Sequence, residues 1–176
     1  MALPASSRSS CPTLGFAKTD MGPSLATFAE YYRLGLEAGL LLPESAKNWA
    51  MSVVEELAEP PGEIIEISWS KGAAMTLENL RAVQGERDRV LAAHWLLASL
   101  REANQTSDDE LHRVVQRAMQ IAQAAELGGD VYNRFDAIDD ELSLARSNTY
   151  GSVIECRKEL ADALSEYPSA PVRSET

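Results

Sequence analysis

Cysteine, aromatic residues and long apolar runs are all scarce in this chain. Two cysteines, Cys11 and Cys156, in 176 residues are too few for a disulfide framework. No stretch approaches the ~18 consecutive apolar residues of a membrane span, and a mean hydropathy of -0.21 predicts a soluble protein. Basic charge is short as well. Sixteen Lys and Arg against 27 Asp and Glu leave a formal net charge of -11, a field that repels phosphate backbones and anionic headgroups and so argues against nucleic acid and membrane surfaces as partners. Also missing are the nucleophile elbow Gly-x-Ser-x-Gly, a phosphate-binding loop, a dinucleotide fingerprint, a Cys-x-x-Cys pair and His-Glu-x-x-His. Those absences remove the commonest enzyme classes that a motif can reveal, leaving only an enzyme assembled from dispersed side chains.

What the chain does have is helical periodicity, which predicts an all-α single domain, a bundle or irregular array of about six to eight helices. Residues 1–22 have the Ser-, Pro- and Ala-rich composition of a disordered tail and lack a secretory hydrophobic segment. The helical domain is expected over 23–167, with a short C-terminal tail over 168–176 and the cytoplasm as its location. A first helix is expected over about 24–38, carrying Leu25, Phe28, Tyr32 and Leu36 inward and ending at Gly39. Pro43 opens a second, with Ala46, Trp49, Ala50, Val53 and Leu57 on its stripe, which Pro60, Pro61 and Gly62 stop. Residues 63–70 alternate like a strand, but no comparable strand offers a partner, so a short helix or a buried extended segment is favoured over a sheet. Thr76 is placed as the cap of a helix to about 83. A longer helix follows over 86–103, with Val90, Leu91, Leu97 and Leu100 inward.

The remaining helices have clearer punctuation. Ser107 and Glu110 have the spacing of a capping box ahead of the stripe Leu111, Val114, Val115, Ala118, Ala122 and Ala125. Gly128 and Gly129 break that helix, and Val131, Phe135, Ile138, Leu142 and Ala145 mark the next. Ser152 and Glu155 repeat the capping-box spacing before a last helix that turns Val153, Cys156, Leu160, Leu164 and Tyr167 inward. Cys156 is thereby expected to be a small buried apolar residue rather than a nucleophile.

Among polar residues, Asp136, Asp139, Asp140 and Glu141 form the densest acidic cluster. It is expected on the outer face opposite Phe135, solvated, bound to a partner, neutralised by Arg134 or Arg146, or holding a divalent cation. Glu55, Glu56 and Glu59 make a second exposed acidic set, whereas Asp108, Asp109 and Glu110 also complement the dipole of the helix they open. His94 is expected to be partly buried and hydrogen-bonded, and His112 to form a surface pair with Asp108 four residues earlier. No catalytic residue, metal site or cofactor is assigned. The expected function is non-enzymatic binding of a basic protein, with Asp136, Asp139, Asp140, Glu141, Glu55, Glu56 and Glu59 as the binding residues; a homodimer through exposed aromatic residues is compatible with the composition. The alternative is a helical metal-dependent hydrolase using the clustered aspartates.

Three stretches, YYRLGLEAGLL (31–41), VVEELAEPPGEIIEISWS (53–70) and DDELSLARSNTYGS (139–152), together resemble a family of small helical bacterial proteins of unassigned function, some of them regarded as immunity proteins of toxin systems. The resemblance spans about residues 31–167. It implies a single α-helical domain that holds a toxin inactive by binding it, and it carries over no catalytic residue.

Overall fold

A computed structural model of the chain describes residues 22–102 and 107–171. Among them are eight α-helices and no strand: α1 (Leu25–Glu37), α2 (Pro43–Glu56), α3 (Gly62–Ser68), α4 (Gly72–Ala82), α5 (Arg89–Ser99), α6 (Asp108–Ala124), α7 (Gly129–Arg146) and α8 (Val153–Ser165), with a 3-10 turn at Leu100–Glu102 after α5. The expected tail over 1–22 lies almost wholly outside the described residues.

Two apolar clusters share α5 as their common wall. One joins Leu34 to α6, α7 and α8 through Leu96, Leu97, Leu111, Val115, Phe135, Ile138, Leu142 and Leu160. The other unites α1, α2, α3 and α4 around Phe28, Trp49, Ile64, Ile67 and Leu80, with Trp95 reaching in from α5. Because it faces both, α5 buries Ala92, Ala93, Trp95, Leu96, Leu97 and Ala98 in succession, the pattern of a helix apolar on nearly every side. Aromatic rings weld the second cluster: Tyr32 stacks on Trp49 at 5.0 Å, and Phe28 lies 5.1 Å from Trp95. The Tyr31 ring meets Tyr32 edge-on, so this tyrosine pair is packing rather than an open surface.

Local chemistry explains most boundaries. Ser24 accepts from the Thr27 amide to start α1. Gly39, at φ +65°, ends it, letting the Leu40 amide donate to the Gly35 carbonyl at 2.8 Å and the Gly39 amide to Leu36 at 3.1 Å. At α6 the capping box forms in full: Ser107 accepts from the Glu110 amide, and the Glu110 carboxylate accepts from the Ser107 amide. The segment over 63–70 is helical through Ser68 as α3, with Ile64 and Ile67 buried and the C-cap Trp69 left 79% exposed.

Five local expectations are corrected. Thr76 is not a cap; α4 begins at Gly72, and the buried Thr76 hydroxyl donates back to the Gly72 carbonyl at 2.9 Å. Helix α5 begins three residues later than expected because Asp88 caps the Leu91 amide while its own amide donates to Thr27 of α1, and this register leaves Val90 exposed. Leu57 lies past the end of α2 and is exposed. Helix α6 stops before the glycines, with Glu126 at φ +55° in the left-handed position after the cap. At α8, Ser152 accepts from Ile154, the second amide, rather than the third. The start of the expected C-terminal tail is laid against the body: Arg101 donates to the Ser169 hydroxyl at 2.6 Å, and Ala170 packs on the aromatic cluster.

Candidate functional site

The charged residues divide into a network consumed inside the fold and a set left on its surface. At the centre of the network is Glu30, buried on α1. Arg33 grips it from the next turn with Nη2 at 2.6 Å and Nε at 2.9 Å, Arg87 Nη1 lies 3.0 Å away, and Arg89 Nε approaches to 3.5 Å. Arg87 also donates to the carbonyls of Leu80, Arg81 and Val83 and so closes the end of α4. The network extends through Glu37, which pairs with Arg33 and Arg81, and through Glu126, which pairs with Arg89. Burial works to raise the Glu30 carboxyl; the hydrogen bonds and charges of Arg33 and Arg87 outweigh it and hold the group below the usual range. Sequence reasoning missed this centre, although Glu30, Arg33 and Glu37 follow one another at helical spacings of three and four.

The acidic cluster on α7 is not one surface. At about 100° per residue, Asp139 and Glu141 fall on opposite flanks of the Phe135, Ile138 and Leu142 stripe, and Asp140 falls opposite it. Asp139 therefore turns to α6, where its Oδ1 lies 3.3 Å from His112 Nε2. The expected pairing of His112 with Asp108 is replaced by that contact, because the tertiary neighbour lies closer than the residue one turn away. Asp108 instead faces Arg157 at 3.8 Å. Asp136 is half-buried, whereas Asp140 and Glu141 are exposed. Neither expected arginine neutralises the cluster: Arg134 forms a two-pronged pair with Glu166, at 2.6 and 2.9 Å, and Arg146 pairs with Asp109 at the start of α6. Glu55, Glu56 and Glu59 are exposed at and beyond the end of α2, away from α7 in the chain's other half. His94 is half-buried with its ring 5.1 Å from Tyr167.

Where α7 turns into α8, the Glu141 flank opens into a concavity of about 500 Å³ lined by Glu141, Tyr150, Gly151, Ser152, Glu155 and Cys156. Asn148, at φ +52°, makes the turn possible by ending α7 in the left-handed conformation. Tyr150 is 79% exposed and Ile154 76%. Cys156 closes the floor, buried as expected on the α8 stripe, and its thiol is pushed above the ordinary range by burial, then by Glu141 and the acids of its own helix. Sequence reasoning reached Glu141 and assigned Glu155 to a cap; their meeting depends on the crossing of two helices. Among the described residues no group of three or more His, Cys, Asp or Glu side chains converges as a metal site, and no helix is long and apolar enough to cross a membrane. The fold and this surface define an all-α acidic protein with an open acidic and aromatic concavity between α7 and α8; a second, of about 300 Å³, is lined by Glu126 and Tyr132 among others. No family model matches the chain, and neither a curated protein nor a solved structure matches it.

Proposed function

We propose that this chain is a non-enzymatic binding module of the cytoplasm that docks a basic protein on its acidic helical surfaces, acting as an immunity protein that neutralises a basic toxin. The observation that carries this reading is the placement of its cations. Arg33, Arg81, Arg87, Arg89, Arg134, Arg146 and Arg157 all lie within 4 Å of carboxylates of the chain itself. The acids in excess, including Glu55, Glu59, Asp140 and Glu141, stay exposed. A surface with one sign in excess draws an oppositely charged partner into rapid, salt-sensitive association, and the same sign disfavours nucleic acid and anionic membranes.

The test is capture of partners by the tagged protein at about 50 mM and about 300 mM salt, conditions across which surface charge is screened progressively. The expected result is one basic protein, held at low salt and depleted at high salt, that the variant Asp140→Lys with Glu141→Lys no longer retains. Capture unaffected by both salt and charge reversal would overturn the proposal. A second copy of this chain as the sole bound protein would replace it with self-association.

A further inference from the structure

We propose that the concavity between α7 and α8 is an anchor for an arginine side chain of the partner, with the Tyr150 ring as the stacking face and Glu141 and Glu155 as the carboxylates that receive the guanidinium. The inference deepens the binding function proposed above and rests on it.

Its first support is charge. Two of the six lining residues are acidic and none is basic. Of the guanidiniums nearest in sequence, Arg146 pairs with Asp109, and Arg157 lies 3.8 Å from Asp108. Among the described residues neither Glu141 nor Glu155 takes part in an ion pair. Glu155 lies in the first turn of α8, where the helix dipole favours an acid, but Glu141 lies within α7 and has no such local cause.

Its second support is the exposed aromatic body. Tyr150 stands 79% exposed on a turn fixed by the amide of Thr149, which donates to the Leu144 carbonyl at 3.0 Å. An aromatic ring so exposed, with Ile154 four residues on equally uncovered, is the composition of an interface hot spot rather than of a solvated turn. Guanidinium fits this combination better than ammonium does. It is planar, stacks on aromatic faces and presents a fork of donors to carboxylates, whereas lysine offers a strongly hydrated point charge.

The probe is an amidated ten-residue peptide of alternating arginine and serine, titrated into the ¹⁵N-labelled full chain at low salt, with a lysine and serine peptide as comparison. The expected result is a set of amide shifts centred on Glu141 and on Tyr150 through Cys156, with the lysine peptide binding several-fold more weakly. Tyr150→Ala, and separately Glu141→Gln with Glu155→Gln, should each reduce affinity by roughly tenfold, a loss typical of an anchor residue. All three side chains are exposed, so the variants should stay folded, with at most the small loss of stability expected from removing a first-turn acid at Glu155, and Glu66→Gln with Glu78→Gln, exposed on α3 and α4, should bind as the parent does. Shifts centred on the α2 acids, shifts spread evenly over the acidic surface, or equal binding of the two peptides would overturn the anchor while leaving the wider binding function standing. No binding of either peptide would overturn both.

Discussion

Glu30 is the residue on which the fold's polar order turns. Removing it leaves Arg33 and Arg87 partly buried without their central counter-charge, so Glu30→Ala should cost about 3 kcal/mol in urea unfolding, the low end for breaking a buried pair because Arg87 and Arg89 reach solvent. Acid should act through the same group. A carboxyl held below its ordinary value of about 4.3 contributes stability that is fully present above that pH and lost as pH falls through its lowered folded value. Stability should therefore decline below about pH 4, and Glu30→Gln should flatten that decline while lowering stability at neutral pH. Cys156 makes a separate prediction. With burial raising its thiol and closing it from solvent, the Cys11→Ser variant should show no thiol reacting with a disulfide reagent until it is unfolded. Fast labelling of the native protein would contradict the placement of Cys156 in the core.

At the scale of the helix, caps and close approaches set the boundaries. The capping box at α6 satisfies two free amides at once, so Ser107→Ala should cost about 1 kcal/mol, read from the same denaturation curves. Gly35 is required by contact: a Cβ there would sit 2.5 Å from Leu41 Cδ1 and 2.7 Å from its Cγ, where Leu41 folds back over the end of α1. Alanine's gain of about 1 kcal/mol in helix propensity is opposed by an overpacking cost of about 1 to 3 kcal/mol, so Gly35→Ala should be destabilising on balance. The sequence made legible those features with a local cause: the Ser24 and Ser107 caps, the Gly39 stop, and the stripes of α6, α7 and α8. What it hid was set by contacts distant in the chain. The late start of α5 follows from the hydrogen bond between Asp88 and Thr27, and no window around residue 86 contains that information. The division of the α7 acids was similarly hidden. Spacing put Asp136, Asp139 and Asp140 on one side of the helix, but only the position of α6 decides that Asp139 meets His112, and only that of α8 decides that Glu141 meets Glu155 and Tyr150.

For the whole molecule, the net charge of -11 matters through its distribution. Cations are drawn into pairs that tie α1 to α4, α5 and α6, and into Arg134–Glu166, Arg146–Asp109 and Arg157–Asp108 across the other half of the bundle. This internal use of arginine leaves acids in excess on a surface that also carries exposed Lys71, Arg113 and Lys158, and that excess is what the proposed basic partner would meet. The most direct test of that central claim is site-specific photo-crosslinking in cells of the source organism, with a photoreactive phenylalanine analogue at position 150 and, as control, at the exposed position 74 on α4. The account predicts one basic protein joined at position 150, absent at position 74 and lost when Glu141 and Glu155 are replaced by lysine. Identical products from both positions, or no product from position 150, would contradict it.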